Sequence, residues 1–386
     1  MPSKRVCIVT HTYLPHVGGI ERVVYEQSKR LMKNGFKPMV VTSRMATDKS
    51  YTVDGISVQC YDSLNFGFGL GIPYTIPNVS SYGTFLEAVQ SSDLVHVHGH
   101  PYLSSLVAAK IAKRQGKPVV LTQHNTFIKY ENSVWEHAER LNDGVVGKRV
   151  LRNADKIITV SNATKEYVLG LGADTGKTSV IHNGVDVERF KPISDLRERM
   201  REKLRLPQDA KVVLSVRRLV YKNGIDTLIE SAVASLKSNA QLVFLIVGTG
   251  PDLTAVRSRI DQLGISSKCL LAGFVSDAEL PAYYNAADLF VLPSKSGEGL
   301  PLVGLEAMSC GLPVIATDVG GISEVMTEDL GKLVPPDSPS AMAKAVLEIS
   351  QIDLVPLGKK LRTIALEKFS WERNVEKLID IYEEFI

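Results

Sequence analysis

The chain has 386 residues, of which 44% are hydrophobic and 23% are charged. This apolar fraction can form a sizeable core, so a generally disordered chain is excluded. The length predicts two or three domains of about 150 residues each, and no run reaches the roughly 18 apolar residues of a membrane span.

The N-terminus and the cysteines bear on the compartment. The first ten residues move directly into the apolar run VCIVT, without the longer apolar region and small-residue cleavage site of a signal peptide. The four cysteines are scattered and form no Cys-x-x-Cys pair, so neither a zinc site nor a disulfide framework is indicated. A cytoplasmic protein is therefore predicted.

Short apolar runs alternate with helical patterns along the first half of the chain. The predicted strands are 6–10, 38–42, 93–98, 118–122, 156–160 and 178–182, and helical spacing covers 20–32 and 103–113. Runs rich in valine and isoleucine and separated by helices indicate a parallel sheet covered on both faces.

The same pattern restarts in the second half. Its predicted strands are 211–216, 242–248, 268–273, 288–293 and 313–317. The sequence therefore predicts an α/β protein with two open sheets, the first domain over 1–190 and the second over 191–370. The charged run DLRERMREKLR in the linker predicts a short exposed helix. An amphipathic helix over 371–386 is expected to pack back on the first domain.

Gly18 and Gly19 lie between the first predicted strand and the first predicted helix. In open α/β sheets, ligands bind beyond the C-terminal ends of the strands, and a helix N-terminus attracts phosphate. A phosphate-binding turn and an ordinary strand–helix turn both fit this spacing. The Gly-x-Gly-x-x-Gly fingerprint of dinucleotide binding is absent here.

Three cations, Arg217, Arg218 and Lys222, follow the first strand of the second half. Cations at this edge of a sheet could neutralise a diphosphate leaving group without a metal. A solvated loop with scattered charge is the alternative.

Two glutamates, Glu298 and Glu306, lie in the segment SGEGLPLVGLEAMSCG. Pro301 suits the start of a helix, which places Glu306 on its second turn. Both carboxylates could accept hydrogen bonds from sugar or ribose hydroxyls. A surface pair is the alternative, although a carboxylate buried in so apolar a helix needs a partner.

Histidines cluster near two strand ends. His124 follows the strand 118–122, and His96, His98 and His100 alternate along DLVHVHGH. Such alternation raises the possibility of a metal cluster. The strand is apolar, however, and no carboxylate or cysteine has matching spacing, so polar residues lining a cleft are favoured.

Taken together, these segments resemble glycosyltransferase family 4 over nearly the whole chain. The resemblance is carried by HTYLPHVGGIERVVYEQSKRLMKNG, LTQHN, ADKIITVSNATKEYV, VIHNGVDVERFKP, RRLVYKNGIDTLIE, LAGFVSDAELPAYYNAADLFVLPS and EGLPLVGLEAMSCGLPVIATDVGGISEV. It implies the GT-B fold, in which two Rossmann-like domains with parallel sheets face a central cleft. It also implies a retaining sugar transfer from a nucleotide-sugar donor.

The resemblance further implies roles at matching positions, beginning with the reacting groups. Gly18 and Gly19 would meet the donor diphosphate, and His124 would contact the transferred sugar. Arg218 and Lys222 would bind the phosphates and stabilise the leaving group, so that neither a metal nor another cofactor is required.

The remaining implied roles concern the sugar and the nucleoside. Glu298 would hold sugar hydroxyls with the backbone N–H groups of Gly299 and Leu300, and Glu306 would bind the ribose. The base would lie near Gly273, Phe274 and Val275.

Two departures from the family pattern matter. The common form has Gly-Arg-Leu with a lysine five residues after the arginine, but Arg217 stands here in place of the glycine, and Lys222 is four residues after Arg218. Which arginine faces the phosphates stays open. The acidic motif reads Glu-Gly-Leu-Pro rather than Glu-Gly-Phe-Gly, which leaves the loop path around the sugar open as well.

The predicted function is transfer of a hexose-type sugar to a glycan or lipid-linked acceptor, with no nucleic-acid partner. A sugar-nucleotide 2-epimerase shares this fold, and a non-catalytic sugar-nucleotide-binding subunit of a transferase complex is a further alternative. The EGLPLVGLEAM segment argues against the epimerase. The intact glutamates, His124 and the cations argue against the subunit.

The charge is divided unequally. Residues 1–193 contain 23 Lys+Arg and 16 Asp+Glu, a net of +7, whereas the rest has 22 and 26, a net of −4. Lys29, Arg30, Lys33 and Lys37 end one predicted helix, and Lys110, Lys113, Arg114 and Lys117 end another. These cations suggest peripheral association of the first domain with the cytoplasmic membrane face, although cations at helix C-termini also favour the helix dipole without any partner.

Overall fold

The computed structural model describes residues 4–45, 48–66, 74–327 and 329–386, and the chain divides into two compact units. The first unit contains Met1–Thr126, Asn132–Gly184 and Trp371–Ile386, and the second contains Phe127–Glu131 and Val185–Ser370. The main boundary lies between Gly184 and Val185, a few residues before the predicted one.

The first unit is built on a mainly parallel sheet. Its strands are β1 (Arg5–Val9), β2 (Lys37–Ser43), β3 (Ser50–Val53), β4 (Ile56–Tyr61), β5 (Ser63–Phe66), β6 (Tyr74–Pro77), β7 (Leu94–His98), β8 (Val119–Gln123), β9 (Lys156–Thr159) and β10 (Thr178–Val180). Among the described residues, the main sheet has the order β10-β9-β8-β7-β1-β2-β4-β3, with β3 antiparallel to β4, and β5 pairs with β6. The sequence analysis missed β3 to β6 because these short strands lack a continuous apolar run.

The second unit is built on a parallel sheet. Its strands are β11 (Lys211–Val216), β12 (Leu242–Val247), β13 (Cys269–Gly273), β14 (Leu289–Leu292), β15 (Val314–Thr317) and β16 (Gly331–Val334). Within the described ranges their order is β13-β12-β11-β14-β15-β16, and all neighbours are parallel. Because β12 and β14 are buried along their whole length, they consist of unbroken apolar residues. The short edge strand β16 was not predicted from the sequence.

Helices connect the strands in both units. In chain order they are α1 (Gly19–Lys33), α2 (Tyr82–Gln90), α3 (Leu103–Arg114), α4 (Ser133–Asn142), α5 (Lys148–Asn153), α6 (Asn162–Gly170), α7 (Ser194–Lys203), α8 (Ile225–Ser238), α9 (Leu253–Gln262), α10 (Leu280–Ala286), α11 (Leu302–Ser309), α12 (Pro339–Ser350), α13 (Leu354–Lys368) and α14 (Trp371–Glu383). No helix among the described residues combines the length and apolar content that crossing a membrane requires.

Alternating residues of β1 divide the first unit's core between two layers. Val6 and Ile8 pack in one buried cluster with Tyr382 of α14, whereas Cys7 and Val9 belong to the cluster on the other face. The C-terminal helix α14 is therefore part of the first unit's core.

The charged linker segment forms α7, but this helix is not simply exposed as the sequence analysis expected. Arg201 is almost completely buried, and its guanidinium donates to the backbone carbonyls of Ala286 at 3.3 Å and Pro207 at 3.1 Å. It also forms an ion pair with Asp288 at 3.4 Å. The expectation was wrong because the charge of this arginine is compensated inside the second unit.

Both sheets contain a point at which the strand order reverses. In the second sheet the chain runs outward from β11 to β13 and then returns to the other side of β11 through β14. The first sheet reverses in the same way between β1 and β7. Loops that leave such neighbouring strands in opposite directions open a crevice at the C-terminal edge, which is where open α/β sheets bind ligands.

Candidate active site

Arg217 lies at the reversal point of the second sheet, directly after β11. Its side chain is 5% exposed and forms an ion pair with Glu298. The guanidinium also donates to Ser294 Oγ at 2.5 Å and to Asn223 Oδ1 at 3.2 Å. These bonds join the loop after β11 to the loop after β14.

Glu298 is held by Arg217 from one side and by Ser294 from another, since Ser294 Oγ donates to its carboxylate at 2.9 Å. Burial alone would raise the pKa of Glu298. The positive charges of Arg217 and Lys222 and the hydrogen bond from Ser294 outweigh burial and lower the pKa below its ordinary value. Glu298 is therefore a buried carboxylate that stays ionised.

The two neighbouring arginines have different environments. The Arg217 side chain is buried against Glu298, whereas Arg218 is exposed. Lys222 is half-buried in the next turn, and its charge acts on Glu298. The geometry thus gives Arg217 to the glutamate and leaves Arg218 accessible to a ligand.

The loop that carries Glu298 is fixed through its backbone. Gly299 O accepts a hydrogen bond from Gly321 N at 2.5 Å, and Leu300 is buried. Gly320 has a φ of +70°, and a side chain at this position would collide with the backbone carbonyl of Glu298. Glycine is therefore required where the two loops touch.

Glu306 lies on α11, and a buried tyrosine holds it. Tyr284 OH donates to Glu306 Oε2 at 2.7 Å. Burial and the nearby carboxylate of Glu306 raise the pKa of Tyr284 well above its ordinary value, so the phenol remains a neutral donor. The carboxylate can therefore accept further hydrogen bonds in a fixed orientation.

The segment predicted to meet the base follows β13. Gly273 has a φ of +69°, Phe274 is 65% exposed, and Val275 is buried. Gly273 O accepts a hydrogen bond from Gly248 N at 2.8 Å, which ties this turn to the loop after β12. An exposed aromatic ring on an anchored turn offers an apolar face to a ligand.

In the first unit, Gly18 precedes α1 as its N-cap and Gly19 is the first helical residue. A side chain at Gly18 would collide with the carboxylate of Glu21, whereas the space beside Gly19 is open. Glu21 accepts hydrogen bonds from Thr12 Oγ1 and, at 2.8 Å, from His16 Nδ1. Burial opposes ionisation, yet the bond to His16 and the charge of His11 lower the pKa of Glu21 below its ordinary value.

His124 follows β8 and is buried against a second histidine. Its Nε2 atom lies 2.9 Å from His98 Nδ1, and the two rings stack with centroids 5.1 Å apart. Burial, together with the neighbouring His11, lowers the pKa of His124 to about 3. The imidazole is therefore neutral at pH 7 and can act as a hydrogen-bonding group rather than as a cation.

The alternating histidines of β7 bind protein groups. His96 contacts Tyr382 OH at 2.6 Å and Thr122 Oγ1 at 2.7 Å, and His100 Nε2 lies 2.9 Å from Asp143 Oδ1. Within the part of the chain that the structure describes, no three His, Cys, Asp or Glu side chains group as metal ligands would.

Two family models match successive parts of the chain. The model described as Glycosyltransferase Family 4 matches residues 17–189, and the model described as Glycosyl transferases group 1 matches residues 197–380. The D-inositol 3-phosphate glycosyltransferase of Geodermatophilus obscurus is 30% identical over 391 residues, covering 95% of this chain and 84% of that protein. The chain belongs to glycosyltransferase family 4.

Further similarities agree with this assignment. One subunit of the phosphatidylinositol N-acetylglucosaminyltransferase of Arabidopsis thaliana is 26% identical to the glycosyltransferase over 390 residues, covering 99% of this chain and 82% of that protein. The crystal structure of Anabaena Alr3699/HepE in complex with UDP and glucose superposes with a TM-score of 0.82 at 19% identity, covering 99% and 100% of the two chains. The predicted GT-B fold is confirmed.

The glycosyltransferase brings together Arg217, Lys222 and Glu298 at one end of its second sheet, as the sequence analysis expected of this edge. The analysis missed the partners that orient them, of which Ser294 and Asn223 are the most direct. It also missed Glu21, although a glutamate in the first turn of a helix is a recognisable signal. Ser294 carried no such signal, because its role depends on the pairing of β11 with β14.

Proposed function

We propose that the glycosyltransferase is a retaining enzyme that transfers a hexose-type sugar from a nucleotide-sugar donor to a glycan or lipid-linked acceptor. The observation that carries this proposal is the ionised Glu298, which Arg217 and Ser294 orient at the reversal point of the second sheet. A fixed carboxylate in such a crevice can accept hydrogen bonds from the hydroxyls of a bound sugar.

The cations beside Glu298 suit the diphosphate of the donor. Arg218 is exposed, and Lys222 is close enough to act on the Glu298 charge. Charge-assisted hydrogen bonds from such groups would stabilise the diphosphate as its bond to the sugar breaks, which is commonly the largest catalytic contribution. The proposal therefore requires no metal.

The nucleoside would bind along the same edge of the second sheet. Glu306, oriented by Tyr284, would accept hydrogen bonds from the ribose hydroxyls. The turn Gly273–Val275, with its exposed Phe274 ring, would contact the base. Since HepE was crystallised with UDP and glucose, uridine diphosphate sugars are the first donors to test.

The first unit would supply the remaining groups that the family resemblance assigns. Gly19 leaves open space at the N-terminus of α1, where backbone N–H groups favour an anion. His124 would contact the transferred sugar as a neutral imidazole, because its pKa is about 3. Retention rests on the resemblance, which implies that the acceptor attacks from the face that the diphosphate leaves.

The names of two relatives suggest where to look for the acceptor. One is a D-inositol 3-phosphate glycosyltransferase, and the other belongs to a phosphatidylinositol N-acetylglucosaminyltransferase. Free inositol phosphate and phosphatidylinositol are therefore the first soluble and lipid-linked acceptors to compare.

The experiment is a thermal-shift screen of nucleotide sugars, followed by transfer assays with the donors that stabilise the chain. A ligand at 100 times its dissociation constant adds about 2.7 kcal/mol to stability. The anomeric configuration of the product, read by NMR, tests retention, and loss of wild-type activity in excess chelator would overturn the metal-free account.

A non-catalytic subunit is the alternative to separate from this enzyme, since one relative is itself named as part of a multi-subunit transferase. The purified chain should release nucleoside diphosphate when donor and acceptor are both present. Donor binding without such release, across the acceptor panel, would favour the non-catalytic role.

A further inference from the structure

A helical stretch in the first unit exposes apolar side chains that a helix normally buries. It runs through α4, a π-helical turn at Asp143–Gly147, and α5. Val134 is 67% exposed, Leu141 69%, Val145 44% and Trp135 40%. Three of these residues have the spacing of one helix face, so the apolar side of the stretch faces outward.

The acidic residues of the same stretch point the other way. Asp143 is buried, with Oδ1 2.9 Å from His100 Nε2 and with a second hydrogen bond of 2.5 Å from Tyr167 OH. Glu139 is buried as well, and Glu136 is half-buried. A surface helix of a soluble protein would show the opposite arrangement, with its carboxylates in water and its apolar residues inside.

Cations dominate the charge that this stretch presents to solvent. The exposed basic side chains are Arg140, Lys148, Arg149 and Arg152, and His137 is exposed beside them. Among the described residues, Lys148, Arg149 and Arg152 form no ion pair with a carboxylate. Arg149 donates instead to the backbone carbonyl of Val145 at 2.6 Å.

We propose that this surface, termed the apolar-basic face (Val134, Trp135, Leu141, Val145, Lys148, Arg149 and Arg152), docks on the surface of an anionic lipid bilayer. A helix with an apolar stripe and flanking cations lies in the plane of the lipid headgroups, and tryptophan favours that depth. The cations complement the negative charge of such a surface. The inference rests on the proposed function by supplying a route to a lipid-linked acceptor.

The apolar-basic face differs from the two basic stretches that the sequence suggested. In the first stretch, Arg30 pairs with Glu26 at 2.5 Å and with Glu372 at 2.8 Å. In the second, Lys113 pairs with Asp155. Those helix ends carry cations without an exposed apolar stripe beside them, so they serve as controls.

The test is co-sedimentation of the full chain with vesicles of phosphatidylcholine, with and without phosphatidylglycerol, at low and high salt. We expect binding to the anionic vesicles, weakened by salt. The triple variant Lys148→Glu/Arg149→Glu/Arg152→Glu should lower the partition coefficient by at least about 100-fold, since each cation near an anionic surface contributes about 5-fold. Leu141→Ser/Val145→Ser should weaken binding even at high salt.

A matched control is Lys33→Glu/Lys37→Glu/Lys110→Glu, which reverses three exposed cations elsewhere on the first unit. An equal loss of binding in this control would show a general charge effect and overturn the proposal. So would absence of wild-type binding at low salt, or self-association of the wild type that Leu141→Ser/Val145→Ser abolishes, because a second copy would then cover the face.

Two readouts separate this proposal from the proposed function. Stabilisation by nucleotide sugars requires no vesicle, and vesicle binding requires no donor. Leu141→Ser/Val145→Ser should retain nucleotide-sugar stabilisation and transfer to a soluble acceptor while losing vesicle binding. Vesicle binding without any transfer would overturn the proposed function and leave the docking face intact.

Discussion

Arg217 and Glu298 form a buried ion pair although 81 positions separate them in the chain. The pair exists because β11 and β14 are neighbours in the sheet, so the residues that follow them meet at one edge. Ser294 bonds to both partners. Arg217 is therefore a positioning residue that fixes the orientation and charge of Glu298.

We expect Arg217→Ala to destabilise the protein by about 3–5 kcal/mol, because it leaves the Glu298 charge buried without its partner. Chemical denaturation gives the change in the free energy of unfolding. The double variant Arg217→Ala/Glu298→Gln should recover part of the loss. Arg218→Ala, at the exposed neighbour, should stay within about 0.5 kcal/mol of the wild type, and an equal loss there would contradict this account.

Lys222→Ala or Arg218→Ala should lower turnover about 100-fold, because each removes a group proposed to stabilise the departing diphosphate. Steady-state kinetics should show most of the change in kcat. Lys237→Ala, at a cation near the end of α8, is the control and should leave kcat unchanged. Full activity of both variants would remove these cations from the reaction.

Glu306→Ala should weaken binding of free nucleoside diphosphate about 10-fold or more, the size expected for a lost hydrogen bond to a charged group. Isothermal titration calorimetry measures the affinity. Tyr284→Phe removes the hydrogen bond that orients the carboxylate but keeps the carboxylate itself, so its effect should be smaller. Unchanged affinity in a folded Glu306→Ala variant would refute the ribose role.

Acid should destabilise the protein below about pH 6.5, the ordinary histidine value. Burial lowers the pKa of His11 to about 4 and those of His96 and His124 to about 3, and lowers that of His98 as well. The unfolded chain therefore binds protons first as the pH falls. Each such histidine then removes about 1.4 kcal/mol per pH unit until its folded pKa is reached, and stability is fully present above about pH 6.5.

Thermal unfolding between pH 7 and pH 4.5 measures this effect. His96→Gln should flatten the dependence of melting temperature on pH, whereas His137→Gln, at an exposed position, should leave it unchanged. A melting temperature that stays constant over this range in the wild type would show that the buried histidines are not neutral in the fold.

The sequence by itself determined the class of fold and the family. Buried strands need unbroken apolar runs, so β1, β7, β11, β12 and β14 could be predicted from the sequence. The short strands β3 to β6 could not, because half-exposed edge strands carry polar residues that resemble a loop.

Tertiary structure alone decided which of two adjacent arginines meets Glu298. Sequence places Arg217 and Arg218 at the same strand end, but neighbouring side chains leave an extended backbone in opposite directions. The order of β11 beside β14 then puts Ser294 and Glu298 next to Arg217 and leaves Arg218 in solvent. Apolar periodicity is local and can be read along the chain, whereas the partner of a buried charge depends on contacts between distant segments.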